Sequence, residues 1–256
     1  MNKFIVKVFS ALLSCGVMAS AMAKDELVIG FDPTYTPFEY KNADGSYAGF
    51  DYALGNALCQ KLKLNCVWKE VDFDSSIAAL RVRKIDAILS AMSITEERSK
   101  QVDFTVPVYD VPTALVVKSG SHLALGSLPS GTNIGVTQGT TQESYARKVM
   151  QPKGVNVISY ESQDHVYQDL SNGRLDGTLT NAATASEGFL KLPQGKGFAI
   201  SQPTVNDTQY FGKGVGIAFR KGDDAHTEMF NTAITEMKKS GEIANLSKKY
   251  FSFAVN

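Results

Sequence analysis

The sequence predicts an α/β protein of two similar lobes joined by extended crossings, with a cleft between them. Three observations carry this reading. Short apolar runs alternate with segments of helical spacing along nearly the whole chain, the pattern of strand–helix layers built on a largely parallel sheet. The alternation breaks at residues 106–118 (VPVYDVPTALVVK), a long β-rich stretch holding Pro107 and Pro112, which reads as a connection leaving the first lobe. Finally, residues 80–91 (LRVRKIDAILSA) are echoed by residues 170–181 (LSNGRLDGTLTN), and residues 29–32 (IGFD) by residues 134–137 (IGVT). One helix-end, turn and strand unit therefore occurs in each half.

The first 23 residues stand apart from this pattern. Lys3 and Lys7 precede an apolar segment that ends in Ala21-Met22-Ala23, a small-x-small cleavage site. The segment is too short to span a bilayer comfortably, which takes roughly 20 residues. It predicts an export signal over residues 1–23; a lipoprotein-type site at Cys15 ranks below it. The mature first lobe opens with a strand at 26–31 and a loop of turn formers and aromatics, Asp32 to Phe38. Asp44-Gly45 marks a hairpin turn. A helix follows to about Leu62, then a strand at 66–71, a helix capped by residues 72–75 and running to Lys84, and a strand at 85–91. Ser93-x-x-Glu96 reads as a capping box that opens a short helix carrying Arg98.

The second alternation runs through a strand at 133–136, a loop at 137–142 leading into a helix to Met150, a strand at 155–160, a helix at 162–172, a strand at 175–180 and a helix at 182–190. Residues 210–220 (YFGKGVGIAFR) read as a Gly-rich strand that recrosses to the first lobe. Helices at 223–240 and 243–250 close the chain. The boundaries are thus 24–111 and 211–256 for the first lobe and 112–210 for the second.

The whole chain has 26 basic and 26 acidic residues. Without Lys3 and Lys7 the balance is 24 against 26, a net charge of −2. This leaves no basic excess for nucleic acid and no polybasic membrane patch. Cys59 and Cys66 fall at a helix end and a strand start, and in an oxidising compartment a disulfide is the reading preferred over two buried thiols. His122, His165 and His226 are isolated, and no motif for nucleophilic, metal or dinucleotide chemistry occurs; no metal, cofactor or catalytic group is expected.

Ligands of open α/β sheets sit beyond the carboxyl ends of the strands. There the first lobe offers Asp32, Tyr35, Phe73, Ser90, Ala91, Met92, Ser93 and Arg98. The second offers Thr137, Thr140, Thr141, Gln142 and Asn181. Arg98 with hydroxyls and a helix N-terminus forms an anion grip. Asp32 forms a cation grip, and Tyr35 and Phe73 supply aromatic faces. The guest that fits is a zwitterion with an extra positive end.

The stretches GFDPTYTPFEY, GFDYALGNALC, DFDSSIAALRVRKIDAILSAMSITEER, GVTQGTTQESYA, QDLSNGRLDGTL, ASEGFLK and KKYF resemble the periplasmic solute-binding proteins of polar amino-acid ABC importers, in the lysine/arginine/ornithine- and histidine-binding group. The resemblance implies a type II periplasmic binding protein fold, two lobes on two hinge strands, and no enzymatic activity. It implies a monomer in the periplasm that closes on a cationic amino acid, arginine first, and is read by a membrane permease. It assigns the α-carboxylate to Arg98, Ser93 and Thr141, the side-chain cation to Asp32, and the walls to Tyr35 and Phe73. Ser90 and Gln142 would line the pocket, and Cys59–Cys66 matches the group's disulfide. Two positions depart from the pattern: Ala91 replaces a usual serine, and Asn181 replaces the aspartate that usually meets the α-ammonium. An N-substituted, opine-like arginine derivative is therefore one alternative ligand. A cyclohexadienyl dehydratase-like enzyme on the same fold is another reading, and a signalling or adhesion role a third.

Overall fold

The computed structural model describes residues 26–252; the export signal expected over residues 1–23, with Cys15, lies outside the described residues. The first lobe starts with β1 (Glu26–Phe31), whose last residue leads into a small antiparallel sheet of β2 (Thr34–Tyr35), β3 (Glu39–Lys41) and β4 (Tyr47–Ala48). Helix α1 (Phe50–Leu62) buries Phe50, Leu54 and Leu58 at helical spacing and ends at Lys63 in the left-handed region. It returns the chain to β5 (Asn65–Glu70), parallel to β1 over its full length. The Cys59–Cys66 disulfide joins α1 to β5, with a Cα–Cα separation of 6.2 Å. Helix α2 (Ser76–Arg81), β6 (Ala87–Ile88), α3 (Glu96–Ser99) and β7 (Val102–Phe104) follow.

The second lobe is contiguous. It holds β8 (Thr113–Lys118), β9 (Asn133–Thr137), α4 (Thr141–Tyr145), β10 (Asn156–Tyr160), α5 (Gln163–Ser171), β11 (Gly177–Asn181), α6 (Ala182–Ala185) and β12 (Phe198–Val205). Its sheet runs β10-β9-β11-β8-β12, parallel up to β11 and antiparallel beyond. After α7 (Thr208–Phe211) the chain returns to the first sheet as β13 (Ala218–Arg220), antiparallel to β6 and β7, giving the order β5-β1-β6-β13-β7. Helices α8 (Asp224–Lys239) and α9 (Glu242–Ser247) then bury Phe230, Ile234, Met237 and Ile243 in the first lobe's core, together with Leu27, Phe38, Leu54 and Phe219.

The two sequence echoes are halves of one packing unit. Asp86 accepts the Val28 N–H and Asp176 accepts the Asn133 N–H, at 3.0 and 2.8 Å, so each aspartate ties the chain entering its own strand to the neighbouring parallel strand. Gly30 pairs with Ile88 and Gly135 with Thr178. A Cβ on Gly30 would meet Ile85, and one on Gly135 would meet Leu175, at 2.4 and 2.5 Å. Each glycine leaves room for the apolar residue just before its aspartate.

Several local expectations need correction. The N-cap of α3 is Thr95, whose hydroxyl accepts from the Arg98 N–H, so the capping box at Ser93 does not form. Ser93 instead pairs with Val215 as an isolated bridge. Residues 210–220 are not one strand: Tyr210 and Phe211 end α7, Gly212 and Gly214 take positive φ, and the strand itself is Ala218–Arg220. The strand at 85–91 shrinks to Ala87–Ile88, because Ala91 takes a positive φ of 45° and turns the chain away. The sequence reading also passed over β12, whose Gln202-Pro203 and polar residues mask an edge strand.

Candidate functional site

A cavity lies between the two sheets, lined from both lobes. Asp32, Tyr35, Phe73, Ser90, Ala91, Ser93 and Arg98 line it from the first lobe, and Thr137, Thr140, Thr141, Gln142 and Asn181 from the second. Met92 is the exception among the expected residues. Its side chain packs with Leu80, Ile85, Ile88 and Val102 in the first lobe, because the positive φ of Ala91 sends the next side chain into the core.

Arg98 is 8 % exposed. Its Nη1 donates to the Ser93 carbonyl and its Nη2 to the Gly139 carbonyl across the cleft, both at 2.9 Å, while the guanidinium lies 5.3 Å from the centre of the Phe73 ring. Among the described residues it forms no salt bridge. Burial pulls its pKa down to about 10, which still leaves it charged at neutral pH. A buried cation held only by neutral carbonyls calls for an anion.

The acidic side starts where β1 ends. Asp32 accepts from the Thr34 hydroxyl (2.7 Å), the Thr34 N–H (3.2 Å) and the Phe73 N–H (3.2 Å). Burial outweighs these bonds and raises its pKa above the ordinary carboxylate value. The Asp32 N–H donates to Ser90 Oγ, and Ser90 Oγ–H donates to Glu39 Oε1 at 2.8 Å. Tyr35, stacked on Phe38, reaches the second lobe with its hydroxyl 3.5 Å from Thr180 Oγ1.

The second lobe presents the start of α4. Thr140 caps it: the hydroxyl accepts from the Glu143 N–H and donates to the Thr137 carbonyl. Thr141 Oγ1 donates to Gln142 Oε1, and Gln142 Nε2 donates to Thr113 Oγ1. The Thr137 hydroxyl donates to Gln163. Asn181 caps α6 with Oδ1, which accepts from the Ala183 N–H at 2.8 Å. The acceptor end of this amide is therefore already engaged, and its Nδ2 has no protein partner among the described residues.

Thr34, Glu39, Asp110, Val111, Thr113, Phe211 and Val215 also line the cavity and were passed over in the sequence. Asp110, Val111 and Thr113 sit in the stretch read only as a connection. Phe211 and Val215 sit in the segment misread as a strand. Glu39 follows Pro37-Phe38 and reads as an exposed hairpin residue, yet it is fully buried. An acid between two aromatics, Phe38 and Tyr40, was the available signal.

Comparison with known proteins matches this architecture. The chain is 43% identical over 245 residues to the lysine/arginine/ornithine-binding periplasmic protein of Escherichia coli (strain K12), covering 95% of this chain and 94% of the relative. It is 45% identical over 228 residues to an L-arginine-binding protein of Pseudomonas aeruginosa, covering 89% and 88%. Among solved structures, a Salmonella typhimurium periplasmic binding protein described for its high arginine specificity superposes with a TM-score of 0.82 at 32% identity, covering 89% of this chain and 99% of the other. An ancestral arginine-binding protein bound to arginine gives 0.80 at 35%, covering 89% and 98%. Residues 27–253 match a single family description, and the chain belongs to the bacterial extracellular solute-binding proteins, family 3.

Proposed function

We propose that this protein captures a cationic amino acid in the periplasm, arginine before lysine, ornithine or histidine, and delivers it as a monomer to the permease of an ABC importer. One observation carries the reading: the same interlobe cavity is lined by a buried guanidinium without a salt bridge among the described residues, Arg98, and a buried carboxyl, Asp32. The α-carboxylate meets Arg98, Ser93 and the free N–H groups at the start of α4. The side-chain cation lies toward Asp32, with Tyr35 and Phe73 along the aliphatic stem. The relatives are named as binding proteins for these amino acids, which favours neither the dehydratase reading nor the opine alternative.

Capture proceeds by closure. The lobes divide at 111/112 and 210/211, and just on the first-lobe side of these points the two crossings run side by side: Val108 N–H donates to Val215 O and Val215 N–H to Tyr109 O. Rotation about these segments separates Arg98 from Gly139 and Tyr35 from Thr180 and opens the cavity. Calorimetry with arginine, lysine, ornithine, histidine and octopine tests the assignment. Arginine should bind most tightly, and Asp32→Asn should weaken it. Absence of binding by every cationic amino acid would overturn the reading.

A further inference from the structure

The interlobe cavity sits beyond the carboxyl ends of β1 and β6. The opposite end of the first sheet holds a second concavity, a surface groove lined by Arg81, Arg83, Lys100, Gln101, Arg220 and Lys221. Topology brings these side chains together. β6 and β7 both run antiparallel to β13, so residues entering β6 and β7 meet residues leaving β13 at one end of the sheet. No basic run in the sequence announces the groove, because three separate segments supply it. Five of its six lining residues are cations and none is an acid.

Three of the cations are paired with acids outside the lining: Arg220 with Asp86, Lys221 with Asp103 and Lys100 with Glu96. Arg220 is also held by its Nη1, which donates to the Ile85 carbonyl at 2.8 Å. Arg81 and Arg83 are exposed and form no salt bridge among the described residues. Two unpaired guanidiniums beside three further cations repel one another, and an anion between them would relieve that.

Arg83 adds backbone strain. Helix α2 ends in a Schellman motif: the Arg83 N–H donates to the Leu80 carbonyl and the Lys84 N–H to the Ala79 carbonyl, with Arg83 at a φ of 60°. The repeated unit ends α5 in the same motif, through Gly173 to Leu170 and Arg174 to Asp169, and there the left-handed residue is Gly173 at 74°. A Cβ on Gly173 would meet nothing within 4 Å, so space does not dictate the choice. The second lobe uses the residue the backbone favours, and the first puts an arginine there against that preference. Arg81 likewise stands where the second lobe has Ser171. Lys63 ends α1 at a φ of 57°, so strain alone makes no site; the four cations around Arg83 set it apart.

We propose that this groove binds a compact phosphate-bearing anion, with Arg81 and Arg83 as its principal ligands. Guanidinium forks match phosphate oxygens, and a concave wall of cations suits a dianion better than a single carboxylate. The site stands apart from the interlobe cavity and does not depend on the function proposed above.

The test is calorimetry of inorganic phosphate and of pyrophosphate on the mature protein, in low-salt Hepes at matched ionic strength. Both should bind the wild type, pyrophosphate more tightly, and the double variant Arg81→Gln with Arg83→Gly should weaken pyrophosphate about tenfold or more. Arg83→Gly alone should raise the melting temperature, which loss of a residue kept for stability would not do; the same scans show that the variants fold. Sedimentation with vesicles of phosphatidylglycerol in phosphatidylcholine separates the sources. Co-sedimentation that needs Arg81 and Arg83 makes the phosphate a lipid headgroup, and pyrophosphate binding without it makes the ligand a free anion. Failure of phosphate, pyrophosphate and vesicles alike overturns the proposal, as does binding that the double variant retains. A lower melting temperature for Arg83→Gly overturns the role given to Arg83, and a glutamate peptide that binds more tightly than pyrophosphate overturns the choice of phosphate.

Discussion

Arg98 shows how a single residue sets the chemistry of one end of the cavity. Its charge is stripped of water and met by two carbonyls and a ring, so a carboxylate in reach gains a strong charge-assisted bond. Arg98→Ala should therefore lower arginine affinity at least about tenfold, since one such bond contributes about 1.5–3 kcal/mol; equilibrium dialysis would measure it. Asn181 makes the opposite case. Its only acceptor oxygen caps α6, whereas an aspartate has a second oxygen to offer the α-ammonium. Asn181→Asp should keep the cap and bind free amino acids more tightly, by roughly 1 kcal/mol or more, and unchanged calorimetric affinity would refute this. Arg98 and Asp32 were legible in the sequence because charged residues beyond predicted strand ends have few structural uses. Met92 and Glu39 were not, because one backbone dihedral at Ala91 and the burial of a hairpin decide which way they face.

At the scale of elements, the repeated strand–turn unit separates what sequence patterns encode from what only packing reveals. The echoes at Asp86 and Asp176 were visible, and the structure shows both tying neighbouring parallel strands together. Their loads differ: Asp86 also meets Arg220 at 3.1 Å, while Asp176 has no such ion pair among the described residues. Asp86→Ala should cost about 2–3 kcal/mol and Asp176→Ala about 1 kcal/mol, with urea denaturation as the check and equal losses as the refuting result. Helices with clear periodicity, such as α1 and α8, were read to within a residue or two. The crossings were not: β12 is fixed by its pairing with β8, α7 by packing on α4, and the glycines after Phe211 by their close approach to Ile94 and Tyr109, rather than by local preference.

The whole molecule carries a buried acidic cluster, and this fixes the sign of its pH response. Asp32, Glu39 and Asp51 all have raised pKa values, chiefly through burial. The native state then binds protons more readily than the unfolded chain, whose carboxyls titrate near 4. Stability accordingly falls as pH rises through the window above that value. The ligand-free protein should melt at a higher temperature near pH 5.5 than near pH 8, and calorimetric scans showing the reverse would contradict this. Below about pH 4 the trend turns. Asp103, Glu143 and Glu187 have lowered values, from bonds to Lys221, Ser159 and Lys191 among others, and their contribution is lost as pH falls through those values.

The two lobes also differ in how the chain supplies them. The second is one uninterrupted segment, whereas the core of the first needs Leu27 and Phe38 from the start and Phe230, Ile234, Met237 and Ile243 from the end. During synthesis the second lobe has all its strands in hand well before the first can close its interior. A chain stopped just after Arg220 would keep every strand of both sheets yet lack the helices that seal the first, and should be cleared by proteases half-assembled.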